Sequence, residues 1–439
     1  MNYNQYNETI DSKLKWIGKM PSHWKLSKFK HNFKFSKSTN TSKNPTILSL
    51  TLQGIKIRDI TTNEGQIARS YDNYTKVYKN DIVLNPMDLI SGFVDCSSVE
   101  GVISPAYYTL KPNQDIDPQY YKYYLQKHYY ERIFFPFAEG VSVDHRWTLK
   151  KEDFLNFGLI KPPLKEQKQI ANYLDKKNAK IDATIAKNEE LIQLLEEKRV
   201  ALINQVVTKG LNPDVPMKDS GVEWIGEIPE HWDTISLKRF SNKITQGPNP
   251  NLSIYSDERK YKILKTKDVY DKEIKYELAD YIPSESFLPY SNFKLIDNDI
   301  LICIVGHGSI GKINIFKEQE LEFIFTRAIG LLRPNTSIIE PYFVKYFFES
   351  NVGKELINSI IEGSTGQEVV KTSKLGSLNI TYPPLNEQAE IITYLNFEIN
   401  KIYEILNRVT KNIELLKEYK TSLIHHVVTG KIDVRGEEI

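Results

Sequence analysis

The sequence predicts an α+β chain with a pseudo-two-fold internal repeat, in which two mixed α/β domains alternate with two long helices that pack on each other. Three observations carry this reading: a tryptophan block that occurs twice, a Pro-Pro block that occurs twice, and a long heptad-patterned stretch after each Pro-Pro pair.

Trp16-Ile17-Gly18, followed by Met20-Pro21-Ser22-His23-Trp24, returns as Trp224-Ile225-Gly226, followed by Ile228-Pro229-Glu230-His231-Trp232, at an offset of 208 (Trp16 to Trp224). Pro162-Pro163-Leu164-Lys165-Glu166-Gln167 returns as Pro383-Pro384-Leu385-Asn386-Glu387-Gln388 at an offset of 221 (Pro162 to Pro383). That second offset also carries Tyr173-Leu174 onto Tyr394-Leu395 and Val206-Val207-Thr208 onto Val427-Val428-Thr429 without a gap. The segments between the blocks align poorly, so the order is variable domain, constant helix, variable domain, constant helix.

A Pro-Pro pair stops a strand and suits a helix start, Glu166 and Glu387 put a carboxylate in the first turn, and neither Pro nor Gly follows until Gly210 or Gly430. In the second stretch Leu395, Ile402, Val409, Leu416 and Leu423 recur every seventh residue, with Ile399, Leu406, Ile413 and Val427 completing an a/d seam. The first stretch repeats it with Leu174, Ile181, Leu195 and Leu202, while Asn178, Asn188 and Arg199 stand at seam positions where an apolar residue is expected. Polar seam residues select register and partner at a cost in stability. Each stretch is about 40 residues, or about 60 Å of helix. The expected division is 1–161, variable domain; 162–210, helix; 211–382, variable domain; 383–430, helix; and 431–439, tail.

Inside the variable domains, Ile47–Leu52, Asp81–Leu84, Val102–Leu110, Tyr261–Thr266, Asp299–Val305 and Lys312–Phe316 read as strands between turn-forming residues. Pro118–Phe134 and Glu340–Ile361 read as helices, the first burying Tyr120, Tyr121, Tyr123 and Tyr124. Composition agrees: 439 residues with 40% apolar and 26% charged side chains suffice for two to four globular units. The balance of 58 basic against 56 acidic residues leaves a net charge of +2, which neither demands nor excludes nucleic acid. The longest apolar run, Ile300–Val305, is far short of the ~20 residues of a membrane span, and the first ten residues are polar, so a cytoplasmic protein with no membrane partner is expected. Cys96 and Cys303 stand alone in apolar segments and read as core.

The catalytic motifs fail on their chemistry. Gly306-His307-Gly308-Ser309-Ile310-Gly311 has dinucleotide-binding spacing, but Lys312-Ile313-Asn314-Ile315-Phe316 alternates like a strand where a helix should open, so the glycines should turn between two strands. Read as a P-loop, the same stretch has Ile313 where a hydroxyl must hold magnesium. Asn85-Pro86-Met87-Asp88 lacks the second Pro and the aromatic of an adenine methyltransferase motif. Glu196-Glu197-Lys198 and Glu258-Arg259-Lys260 are the chance nuclease-like triplets of a Lys- and Glu-rich chain, and His425-His426 has no acidic partner at ligand spacing. No catalytic residue and no metal site is expected. What remains are polar and basic turns able to meet phosphates and base edges: Ser36–Asn44 with Lys37 and Lys43, Thr245–Asn251 with Gln246 and Asn249, Gly140–Lys150 with His145, Arg146 and Lys150, and Gly363–Lys374 with Gln367, Lys371 and Lys374.

Taken together, the Trp-Ile-Gly-x-x-Pro-x-His-Trp blocks, the Pro-Pro-Leu-x-Glu-Gln helix starts and the Val-Val-Thr helix ends, in this order and twice, resemble the specificity subunit of a Type I restriction-modification enzyme over essentially the whole chain. The resemblance implies two target recognition domains, each reading one half of a bipartite site on double-stranded DNA, joined by two helices that form an antiparallel coiled coil and set the spacing. It implies a chain without catalysis or cofactor of its own, working with modification subunits that bring S-adenosylmethionine and with restriction subunits that bring ATP, magnesium, translocation and nuclease activity. Two alternatives stand beside it: a modification methyltransferase with fused recognition domains, against which the missing motifs argue, and a coiled-coil scaffold, which would show no salt-dependent affinity for duplex.

Overall fold

A computed structural model describes residues 4–61, 68–89, 93–139, 147–250, 259–270, 272–364 and 368–437. The chain is a mixed helix and strand protein of two compact units, one formed by Met1–Asn188 with Thr410–Ile439, the other by Glu189–Val409. Both expected long helices are present, Leu164–Lys209 and Leu385–Val428. Each contributes one half to each unit.

In the first unit a four-stranded antiparallel sheet runs in the order Phe33–Phe35, Tyr108–Pro112, Ile82–Leu84, Val94–Cys96. The Ile82-Val83-Leu84 run is apolar throughout because both faces of the sheet are covered: Ile82 and Leu84 join the main core, and Val83 joins a second cluster with Leu48, Leu50, Val77 and Ile103. Lys25–Lys28 pairs with Gly158–Lys161 and so brings the end of the domain back to its beginning, directly before the Pro-Pro pair. The helix Pro118–Tyr130, with Asp117 capping Tyr120 N–H at 2.9 Å, buries all four expected tyrosines. The main core also takes Ile170, Ala171, Tyr173 and Leu174 from the first long helix and Leu423, Ile424, Val427 and Val428 from the second.

The second unit repeats this plan. Its antiparallel sheet runs Ser241–Gln246, Ile329–Pro334, Ile300–Cys303, Ile313–Ile315, and Asp233–Ser236 pairs with Asn379–Tyr382 before the second Pro-Pro pair. Ile300 and Ile302 face one core, Leu301 and Cys303 another, which accounts for the apolar run noted in the sequence. A three-stranded sheet is added, with Tyr261–Leu264 parallel to Glu322–Phe325 and antiparallel to Asp280–Ile282. The core here includes Ile203, Val206 and Val207 of the first long helix and Ile391, Leu395 and Ile399 of the second.

The glycine-rich segment does turn between two antiparallel strands: Gly306, Gly308 and Gly311 have φ of +111°, +71° and +87°, and Gly311 N–H donates to Cys303 O at 3.0 Å. Both cysteines are buried, and burial pushes the Cys96 thiol up to about 12. Two expected elements are divided. Val102–Leu110 is two strands, Gly101–Ile103 and Tyr108–Pro112, because Ser104-Pro105 opens a turn closed by Tyr107 N–H to Ser104 O at 3.1 Å. Glu340–Ile361 is two helices, Pro341–Glu349 and Asn351–Ser359: Ser350 is extended, and its hydroxyl accepts from Gly353 N–H at 3.1 Å as a new N-cap. A Cβ at Gly353 would lie 2.1 Å from Phe347 O, so this break requires glycine. The first domain's helix ends at Tyr130, not Phe134, with Arg132 at φ +53°. Among the described residues no helix is long and apolar enough to cross a membrane.

His128 is fully buried, and its Nδ1–H donates to Tyr124 O at 2.6 Å. Burial, with the nearby Lys127 ammonium, pushes its pKa down to about 3. Folding therefore holds it neutral while the unfolded chain takes a proton below ~6.5, so its contribution is present above that pH and is lost as pH falls toward 3, at about 1.4 kcal/mol per unit. Urea melts at pH 7 and pH 5 should show a smaller loss of stability in His128→Phe than in the natural protein.

Candidate nucleic-acid interface

The repeated blocks meet at one carboxylate in each unit. Glu166 is 4% exposed and accepts from Tyr6 Oη at 2.5 Å, Trp24 Nε1 at 3.1 Å and His23 Nε2 at 2.8 Å. Glu387 accepts from Trp232 Nε1 and His231 Nε2, both at 2.9 Å. The neighbouring glutamine does a second task. Gln167 Nε2 donates to Pro162 O at 2.8 Å while its Oε1 accepts from Asp117 N–H at 2.8 Å; Gln388 Nε2 donates to Pro383 O at 2.8 Å while its Oε1 accepts from Glu340 N–H at 2.8 Å. Asp117 and Glu340 are the N-cap residues of the two domain helices, so each Glu-Gln pair holds both the Trp block and the domain helix.

Farther along, Tyr123 Oη donates to Asp175 at 2.5 Å and Tyr346 Oη to Asn396 at 2.5 Å, at equivalent places in the two units. The Val-Val-Thr ends close the arrangement: Val428 O accepts from Tyr120 Oη at 2.9 Å, and Val207 O from Thr381 Oγ1 at 2.7 Å. Gly430, at φ +70°, is packed so closely that a Cβ would meet Pro21 Cδ at 2.3 Å. Each domain is thereby bolted to the beginning of one long helix and the end of the other.

The expected seam residues are graded in burial. Leu174, Ile181, Leu395, Ile402 and Leu423 are buried, while Asn188, Leu195, Leu202, Val409 and Leu416 are half-buried. Ile203, which the heptad reading passed over, is fully buried. Asn178 is 5% exposed beside Tyr123. Arg199 pairs with Glu196 on its own helix at 3.0 Å and reaches Glu349 of the second domain at 3.4 Å, while its guanidinium lies near Tyr403 of the other long helix. His425 meets Glu131, an acidic partner supplied from far away in sequence.

The described residues of the polar turns differ in electrostatic state. Lys37 and Lys43 are exposed and form no ion pair among the described residues. Lys150 is paired with Glu139 at 2.6 Å. Lys371 and Lys374 both hold Glu362, at 2.6 and 2.7 Å, and their hydrogen bonds bring its carboxyl down to about 2. Gln246 Nε2 donates to Arg327 O at 2.7 Å, and Asn249 is exposed. His145, Arg146 and Gln367 lie outside the described residues.

The structure is thus a duplicated scaffold in which the repeated residues anchor each domain to the long helices. The family model for the Type I restriction modification DNA specificity domain matches residues 229–423. The chain is 26% identical over 373 residues to the Type I restriction enzyme MjaVIII specificity subunit of Methanocaldococcus jannaschii, covering 83% of each, and 26% identical over 396 residues to the EcoBI specificity subunit of Escherichia coli, covering 84% of this chain and 79% of that one. In fold it is similar to a chain solved in work on complex assembly and conformational transition of the type I R-M system (TM-score 0.67, 15% identity, 93% of this chain and 98% of that one). It is also similar to the HsdS subunit from Thermoanaerobacter tengcongensis (TM-score 0.51, 14% identity, 94% and 98%). Over most of its length the chain is thus similar to Type I restriction-modification specificity subunits.

Glu166→Ala would leave three donors without their acceptor, the Trp24 N–H and Tyr6 O–H among them, and should cost roughly 3 kcal/mol in urea melts. Glu387→Ala should cost less, because only two donors converge there and His231 is half in solvent.

Proposed function

We propose that this chain reads a bipartite, asymmetric DNA target and directs its methylation or restriction by partner subunits. The observation that carries this is the double anchor: equivalent Glu-Gln bolts hold two domains whose turns differ in sequence, as expected of two readers of different half-sites. On this reading the chain performs no chemistry. Modification subunits supply S-adenosylmethionine and adenine methylation, restriction subunits supply ATP- and magnesium-dependent translocation and cleavage, and the complex works in the cytoplasm.

The two long helices then act as an antiparallel coiled-coil ruler. Supporting this, Asp182 pairs with Lys420 at 2.6 Å in the first unit and the Arg199 guanidinium lies 6.0 Å from the Tyr403 ring in the second. The step between these contacts is 17 residues in each helix, from 182 to 199 and from 420 back to 403, as antiparallel pairing requires. The domains read unlike half-sites because a palindrome would need two like domains.

Methylation-sensitive sequencing of hosts with and without the gene should reveal one asymmetric, interrupted motif. Replacing residues 233–382 by those of a relative should change one half of it; a change in both halves would refute modular reading. Length must be added away from Thr208, which is buried in the anchor. One heptad inserted after Asn188, together with one before Thr410, should lengthen the ruler by ~10 Å and the unread spacer by about three base pairs. Sequencing that returns the original spacer from an active variant would place the ruler elsewhere.

A further inference from the structure

In the first unit a recess of about 180 Å³ lies where the end of the Phe33–Phe35 strand, the Thr75–Val77 strand and the start of the Tyr108–Pro112 strand converge. Its lining includes Lys37, Thr39, Asn73, Tyr107, Thr109 and Lys151, and no carboxylate side chain among the described residues that line it. Two features mark it as a site for a ligand. Thr109 is 3% exposed, and its hydroxyl is buried without a hydrogen-bond partner among the described residues, a state that costs free energy unless something arrives to complete it. Lys37 and Lys151 are exposed and form no ion pair among the described residues, whereas Lys150 beside them is neutralised by Glu139. The Lys151 ammonium is steadied 5.3 Å from the Phe35 ring and 5.6 Å from the Tyr108 ring, so its charge is held near the recess.

Two cations, a buried hydroxyl donor and the absence of lining carboxylates suit an oxyanion. The concavity decides which oxyanion on a duplex: phosphates project from the backbone and can enter a recess, whereas base edges lie on the groove floor and are reached by projecting side chains. We propose that this recess receives one backbone phosphate of the half-site read by the first domain, with Lys37 and Lys151 neutralising it and the Thr109 hydroxyl donating to a non-bridging oxygen. This rests on the DNA-reading function proposed above and adds to it a register-setting contact that carries no sequence information of its own.

The test uses the full chain assembled with its modification subunits and a target duplex carrying single neutral methylphosphonates at successive positions. Lys37→Ala and Lys151→Ala should each weaken duplex binding several-fold at every sequence. The double variant should flatten the plot of log affinity against log salt by about one, not two, because a single phosphate is involved. Thr109→Val, nearly isosteric, should weaken binding about tenfold while leaving the salt slope in place. One methylphosphonate position should reproduce the double variant's loss and should cause no further loss in that variant. A wild-type salt slope in the double variant, or losses that add at every methylphosphonate position, would overturn the phosphate assignment while the DNA-reading function stood. Failure of the unsubstituted complex to bind any duplex would remove both. Inorganic phosphate binding to the recess with undiminished strength when duplex is bound would show that the anion there is a free one and overturn the backbone assignment.

Discussion

A carboxylate in the first turn of each long helix is the constraint around which the molecule is organised. Buried indole and phenol groups need acceptors, and a carboxylate largely withdrawn from water needs donors. Glu166 meets both needs at once with Trp24, Tyr6 and His23, and the helix N-terminus adds its own favourable field for the negative charge. Neither side of this arrangement can change alone without stranding a buried polar atom. That is why the Trp block and the Pro-Pro block repeat together while the chain between them diverges.

From this point rigidity spreads outward in short steps. Gln167 and Gln388 accept from the N–H groups of the N-cap residues of the domain helices, and the Tyr123–Asp175 and Tyr346–Asn396 hydrogen bonds secure those helices farther along. The helix entry angle, its rotation and its axial position are therefore set by side chains of the constant segments. The sheets then need only pack on the domain helices, and their connecting turns are free to differ. A reader of sequence gains from this division, because loops can exchange specificity without disturbing the frame that aims them.

Much of the frame was legible in the sequence, since it depends on periodicity and repetition. The long helices, the strand run Ile300–Cys303 and the four buried tyrosines all appear where periodic patterning puts them. What was not legible is mostly a matter of long-range partnership. The offsets of 208 and 221 show that Glu166 and Trp24 each have a counterpart in the second half of the chain, but not that they touch, because nothing local encodes a contact between residues 142 positions apart. Arg199 reads as a polar member of the seam, yet its guanidinium serves Glu349 on a helix 150 residues away. The division of Glu340–Ile361 is different: Ser350 and Gly353 are a local N-cap signal that the surrounding apolar pattern masked. For the turns, composition picked out polar and basic residues but could not tell a lysine held by a carboxylate from one with no ion pair among the described residues.

That last distinction bears on how a chain of net charge +2 can engage a polyanion. Many of its cations are already occupied, and a lysine held by a carboxylate must give up that partner before it can serve a phosphate. Lys371 and Lys374 share Glu362, whose pKa of about 2 keeps it ionised throughout the neutral range, so their use by DNA would leave a carboxylate facing the backbone. Lys37 and Lys43 have no such partner among the described residues. Lys37 and Lys43 can therefore serve a phosphate without prior rearrangement, whereas Lys371 and Lys374 must trade an internal ion pair for an external one.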